Sequence, residues 1–186
     1  MKASGQNISS SKKLAKDNVS GQTRDIASDL SRLGSFDEIL EYLITYVTQT
    51  LEAERGSLFL HDPAAHQLYT RVALGNLSRE IRIDEQSGIA GWVFMNAEAT
   101  IVNSPYKDER FNKEVDERTG YQTKSLICVP IFSTGDIPIG VLQVLNKQTG
   151  RFTKVDLAKI ELVASQCASH TKYLRTYRKD GGAKTT

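Results

Sequence analysis

The sequence has few of the cysteine and histidine residues that form disulfide bonds and structural metal sites. It contains two cysteines and three histidines in 186 residues, with no CxxC motif and no metal-ligand spacing of cysteine and histidine. We therefore expect Cys128 and Cys167, which lie inside apolar runs, to be buried free thiols in a reducing compartment. The histidines are scattered, so the sequence indicates no metal site.

Long hydrophobic runs are also missing. No stretch approaches the roughly 20 apolar residues that a membrane-spanning helix needs, and residues 1–25 lack the apolar segment of a signal peptide. These absences predict a cytoplasmic protein without a membrane span.

The charges are distributed unevenly along the chain. Residues 1–24 and 170–186 each carry five basic residues against one acidic residue, so each segment has a net charge of +4. The total of +2 therefore leaves a net charge of −6 for the residues between them. A mildly acidic body does not resemble a nucleic-acid surface, so we expect no nucleic-acid partner.

The sequence shows no pattern typical of a catalytic site. It has no Ser/His/Asp order, no pair of carboxylates with a plausible base, and no glycine loop that could hold a phosphate. We therefore expect a binding domain and not an enzyme.

Apolar periodicity divides the chain into four parts. We expect a flexible tail over 1–22, a connector helix over 23–34, one folded domain over 35–177 and a second flexible tail over 178–186. Ser35 and Glu38 form the pattern of a capping box, which predicts that a helix begins after Ser35 and continues to Leu51.

The domain alternates between strand and helix patterns. Period-two segments predict strands over 57–61, 67–74, 81–83, 99–102, 125–133 and 137–146. Helical segments are predicted over 88–95, 106–117 and 153–177. This order predicts an α+β fold, with about six strands in a mostly antiparallel sheet, helices on both faces, and long N- and C-terminal helices.

A polar segment before the strand at 125 contains the strongest functional signal. Asp116, Thr119 and Thr123 are spaced three and four apart, so on a helix they would share one face. With Asn112, these groups suit a polar, planar ligand. The alternative is that they only cap the helix and form its turn, and the spacing alone leaves both readings open.

Several motifs together resemble one family. They are RGSLFL from Arg55, GIAGWV from Gly88, the cassette from Phe111 to Thr123, and Asn146-Lys147 followed by Phe152 and Asp156. The combination resembles the GAF domains that bind cyclic nucleotides, as in phosphodiesterases and cyanobacterial adenylyl cyclases. The family signature ends in Glu where this chain has Leu157.

The resemblance implies a ligand site under the 103–123 segment. Arg55 and Ser57 would meet the purine edge, and the amides of Ile89 and Ala90 would hold the cyclic phosphate. Hydrogen bonds to base and ribose would come from Asn112, Asp116, Thr119 and Thr123, with Phe111 packing on the ligand or lid and Gln143 at the pocket floor. The family also implies a salt bridge between Lys147 and Asp156 that holds the lid and pocket in shape.

We therefore expect a regulatory domain that binds a cyclic nucleotide, with cyclic AMP favoured over cyclic GMP. Terminal helices would form a homodimer and relay occupancy to an effector domain of a larger cyclase, phosphodiesterase or kinase. The main alternative is a dimerisation module that binds no nucleotide or a different small ligand. A bilin-binding GAF domain is disfavoured, because neither cysteine has an adjacent histidine.

Overall fold

The structure is a computed structural model that describes residues 29–74, 80–132 and 135–170. The two predicted tails, most of the connector helix and the end of the C-terminal helix after residue 170 lie outside the described residues. Within the described part of the chain, no helix combines the length and the hydrophobicity needed to cross a bilayer.

The described residues form four α-helices, one short 3₁₀ helix and six strands. The helices are α1 (Phe36–Thr50), α2 (Gly88–Asn96), α3 (Glu114–Thr119) and α4 (Lys154–His170), and the 3₁₀ helix is Pro105–Lys107. The strands are β1 (Ala53–Asp62), β2 (Gln67–Ala73), β3 (Arg82–Asp84), β4 (Thr100–Val102), β5 (Leu126–Phe132) and β6 (Pro138–Lys147).

The strands form one sheet in the order β3-β2-β1-β6-β5-β4, and each neighbouring pair is antiparallel. Because successive strand residues point to opposite faces, β1 serves two cores. Leu58 and Leu60 pack in the core with α1 and α4, whereas Phe59 packs with α2 on the other face. The predicted α+β fold, with helices on both faces of a six-stranded antiparallel sheet, is confirmed.

The start of α1 follows the predicted capping box. Glu38 N donates to Ser35 Oγ at 3.3 Å, and Ser35 N donates to Glu38 Oε2 at 3.1 Å. The two exchanged bonds satisfy amides that the first turn of a helix leaves without partners. Both cysteines are free and buried, as expected.

The predicted helix over 106–117 is wrong. The chain forms the 3₁₀ helix at 105–107, a turn, and then only the short α3. Asp108 causes the break, because its Oδ1 accepts from Arg110 N at 3.0 Å and its carbonyl accepts from Phe111 N at 3.0 Å. An Asp side chain that bonds to the backbone in this way stabilises a turn in place of a helix.

Candidate functional site

A cavity of about 760 Å³, including its opening to solvent, lies on the face of the sheet that packs against α2. The ten residues predicted to contact a ligand all line it: Arg55, Ser57, Ile89, Ala90, Phe111, Asn112, Asp116, Thr119, Thr123 and Gln143. Segments far apart in the sequence therefore meet at one place.

The floor of the cavity comes from the two central strands. Ser57 on β1 lies opposite Gln143 on β6 in the antiparallel register, and both side chains line the cavity. Ser57 is 5% exposed, yet within the described residues neither its hydroxyl nor the Gln143 amide has a hydrogen-bond partner. Both groups therefore line the cavity with hydrogen-bonding capacity that the described residues do not use.

Arg55 lies on the same face of β1, two residues before Ser57. Its Cζ is 3.8 Å from the centroid of the Tyr121 ring, a cation–π contact. Among the described residues, its guanidinium meets no hydrogen-bond acceptor and forms no salt bridge. A cation stacked on a ring keeps its N–H edges free for a ligand.

The N-terminus of α2 forms one wall. Gly91 N donates to the carbonyl of Ser87 at 3.1 Å, but the Ser87 side chain does not cap the helix. Its hydroxyl instead accepts from Asn112 Nδ2 at 2.8 Å. The amides of Ile89 and Ala90, which belong to the first turn, therefore have no side-chain cap at a helix end that favours anions.

Asp116 uses both of its carboxylate oxygens inside the protein. Oδ1 accepts from Thr123 Oγ1 at 2.7 Å, and Oδ2 accepts from Thr123 N at 2.7 Å and from Tyr106 OH at 3.0 Å. Asp116 is 6% exposed. It therefore connects the 3₁₀ helix, α3 and the chain that enters β5.

The prediction that Thr123 shares a helix face with Asp116 is wrong. The helix ends at Thr119, and Gly120 follows with φ of 66°, a left-handed conformation that glycine adopts without steric cost. The chain reverses there and brings Thr123 back onto Asp116. The two residues meet through this reversal and not through helical spacing.

Thr119 and Asn112 bond to nearby backbone, in keeping with the alternative that such residues only shape the helix and its turn. Thr119 Oγ1 donates to the carbonyl of Val115 at 2.8 Å, and Asn112 Oδ1 accepts from Glu114 N at 2.9 Å. Both residues still line the cavity. Phe111 packs against the ring of Tyr106, with the two centroids 5.3 Å apart.

Lys147 and Asp156 lie away from the cavity. Lys147 Nζ is 3.1 Å from Asp156 Oδ1 and also donates to the carbonyl of Leu51, the C-cap of α1, at 3.0 Å. Asp156 Oδ2 accepts from Thr153 N at 2.8 Å. Burial raises the pKa of Asp156, but the hydrogen bonds from Thr153 and Lys147 outweigh burial and hold that pKa below its ordinary value. The pair joins the C-terminal end of α1 to the start of α4.

Sequence reasoning missed Tyr121 as a residue of the site. Its ring lines the cavity, and its hydroxyl donates to Glu54 Oε2 at 2.9 Å. Burial and this bond to a carboxylate raise the pKa of Tyr121. The wall residues missed beside it are Phe59, Ile81, Ile83, Ser87, Gly88, Val115, Leu126 and Leu145. Spacing carries no signal for Tyr121, because its contacts come from a distant strand.

The structure is therefore an α+β domain with a partly open cavity on one face of its sheet. The GAF domain model matches residues 35–170. The chain belongs to the GAF domain family.

Relatives and solved structures agree with this assignment. The chain is 36% identical over 157 residues to the probable 3',5'-cyclic phosphodiesterase pde-5 of Caenorhabditis elegans, a match covering 78% of the chain and 21% of that protein. It is 34% identical over 142 residues to the cGMP-specific 3',5'-cyclic phosphodiesterase of Drosophila pseudoobscura pseudoobscura, covering 68% and 12%. It is 32% identical over 174 residues to the dual 3',5'-cyclic-AMP and -GMP phosphodiesterase 11 of Drosophila melanogaster, covering 84% and 12%.

The chain thus spans about a fifth or less of the length of these relatives. Among solved structures, the GAF domain of a phosphoenolpyruvate-protein phosphotransferase from Coxiella burnetii superposes with a TM-score of 0.74 at 15% identity, covering 95% of this chain and 99% of that one. At this identity the superposition shows the fold alone. None of the three relatives is named for cyclic AMP alone, so the predicted preference for cyclic AMP gains no support.

Proposed function

We propose that this domain binds a cyclic nucleotide in the cavity and that occupancy regulates a larger signalling protein. One observation carries the proposal. Arg55, Ser57 and Gln143 face a largely apolar cavity without a hydrogen-bond partner among the described residues. A few convergent polar groups in an apolar pocket are typical of a ligand site.

The N-terminus of α2 suits the cyclic phosphate. The amides of Ile89 and Ala90 lie at the wall, and the side chain that ordinarily caps such a helix is bonded to Asn112. Free amides and the helix dipole favour an anion at this position. The phosphate would therefore lie at the start of α2, with the base over the central strands.

Arg55 favours guanine over adenine. A guanidinium carries only N–H donors. Guanine presents two acceptors, O6 and N7, on one edge, whereas adenine presents an acceptor beside an N6 donor that the guanidinium would oppose. We therefore favour cyclic GMP, in place of the cyclic AMP preferred from the sequence. The name of the Drosophila pseudoobscura relative, a cGMP-specific phosphodiesterase, agrees with this choice.

The two long helices would carry the signal. Lys147 and Asp156 tie the C-cap of α1 to the start of α4, at the end of the strand that holds Gln143. Val155 and Leu162 are exposed on α4 and lie seven residues apart, which places them on one face of the helix. We propose that this face pairs with a second copy and that the effector lies elsewhere in a longer chain.

Calorimetric titration of the purified chain tests the function. The protein is first unfolded and refolded in order to remove any bound nucleotide, and is then titrated with cyclic GMP and with cyclic AMP. We expect tighter binding of cyclic GMP, and we expect Arg55→Met to reduce the preference about tenfold, because a bidentate contact to guanine is worth about 1–3 kcal/mol.

Arg151→Met is the matched control, because Arg151 is exposed and lies outside the cavity. It should leave both affinities unchanged. Wild-type protein that binds neither nucleotide would overturn the proposal and favour an interaction module with no nucleotide ligand.

A further inference from the structure

Tyr121 is held at both of its ends by groups on the central strands. Its ring lies under the Arg55 guanidinium, with 3.8 Å between Cζ and the ring centroid. Its hydroxyl donates to Glu54 Oε2 at 2.9 Å, the same oxygen that accepts from Asn146 Nδ2 at 3.0 Å. The ring therefore has a defined position at the edge of the cavity.

The Asn146 side chain, at the end of β6, stabilises this arrangement. It is 3% exposed, and its Nδ2 also donates to the carbonyl of Gln122 at 2.9 Å. Its Oδ1 accepts from Lys124 N at 2.7 Å. One buried amide thus holds Glu54 and the backbone on both sides of residue 123, so that Tyr121 is carried by a segment that is itself anchored.

Among the described residues, Arg55 forms no salt bridge with its sequence neighbour Glu54. The charges of Glu54 and Arg55 interact, but the hydrogen bonds to Glu54 Oε2 come from Tyr121 and Asn146. Hydrogen bonds from Asn146 and Tyr121 lower the pKa of Glu54, which keeps it a carboxylate that accepts these bonds. Arg55 contacts a neutral ring, and its donors remain for the ligand.

We propose that Tyr121 is a positioning residue that determines base selectivity, because its ring orients the Arg55 guanidinium toward the base. The inference rests on the proposed cyclic-nucleotide function. A free arginine side chain has many rotamers, and a ring that stacks on the flat face of the guanidinium leaves the in-plane N–H groups directed at a ligand. Without the ring, Arg55 would contact base and solvent in several orientations and discriminate poorly between guanine and adenine.

The test compares the ratio of cyclic GMP to cyclic AMP affinity in wild type, Tyr121→Leu and Tyr121→Phe. We expect Tyr121→Leu to lower the ratio about three- to fivefold, the strength of a partly exposed cation–π contact. Tyr121→Phe keeps the ring that stacks on Arg55 but loses the bond to Glu54, so its ratio should stay closer to that of wild type than to that of Tyr121→Leu. In an Arg55→Met background, Tyr121→Leu should leave the ratio unchanged, because the group that it positions is gone.

Tyr69→Leu is the matched control, since Tyr69 also lies under an arginine, Arg82 at 5.1 Å, but outside the cavity. Its ratio should equal that of wild type. The inference would be overturned, and the proposed function would stand, if Tyr121→Leu weakened the affinities for both nucleotides equally. A ratio in Tyr121→Phe as low as in Tyr121→Leu would have the same meaning. Wild-type protein that binds neither nucleotide would overturn both.

Discussion

Replacement of Asp116 by Asn tests whether this residue holds the cavity together. The carboxylate accepts three hydrogen bonds, two from Thr123 at 2.7 Å and one from Tyr106 at 3.0 Å. An asparagine has one acceptor oxygen, and its NH₂ group would face at least one of these donors. Hydrogen bonds to charged groups are worth about 1.5–3 kcal/mol each. We therefore expect the free energy of unfolding of the unliganded protein to fall by about 2–4 kcal/mol.

Urea unfolding without nucleotide measures this loss as a shift of the midpoint at constant slope. Glu117→Gln is the matched control, since it replaces a carboxylate by an amide on the same helix at an exposed position. Its free energy of unfolding should stay within about 0.5 kcal/mol of the wild-type value. A double-mutant cycle with Thr123→Val should show strong coupling. If Asp116→Asn is as stable as the control, or if the two losses simply add, then the carboxylate does not hold this segment.

Two further substitutions have defined outcomes. Asp156→Asn should destabilise the fold by about 3 kcal/mol at neutral pH, because it leaves Lys147 partly buried without its counter-ion. Because folding lowers the pKa of Asp156, its stabilisation is present above the ordinary pKa of aspartate and is lost as the pH falls through the folded value. Unfolding experiments from pH 7 downward should therefore show the difference from wild type shrinking in acid, and a constant difference would contradict this account. Gly91→Ala should lower the free energy of unfolding, measured by thermal unfolding, by about 1–3 kcal/mol, because a Cβ would lie 2.7 Å from the carbonyl carbon of Gln86. Gly150→Ala is its control: a Cβ there has no atom within 4 Å, so the change should reflect only the strain of a side chain at φ of 76°.

The parts of the fold that could be predicted from the sequence are those set by neighbouring residues. The period-two pattern of β1 places Leu58 and Phe59 on opposite faces, and the structure puts them in different cores. Ser35 and Glu38 predict the start of α1, because the capping box is a contact between residues only three positions apart. Each signal involves a short stretch of chain.

The interior of the 103–123 segment could not be predicted in this way. Its charged and polar residues have helical propensity, but Asp108 bonds to the backbone two and three residues away and stops the helix. The network of Glu54, Tyr121 and Asn146 is still less visible, because it joins residues up to 92 positions apart. No local pattern distinguishes a tyrosine that positions an arginine from one that only covers the core.

Two kinds of polar residue line the cavity, and the hydrogen bonds separate them. Asp116, Thr119 and Asn112 bond to the protein and give the walls their shape. Arg55 and Ser57 also line the cavity, but their side chains form no hydrogen bond with the described residues. Substitutions in the first group should therefore lower the stability of the protein and weaken its affinity for every ligand alike, since any ligand depends on the shape of the walls. Changes in the second group should alter the choice of ligand and leave stability nearly unchanged, because no protein hydrogen bond is lost.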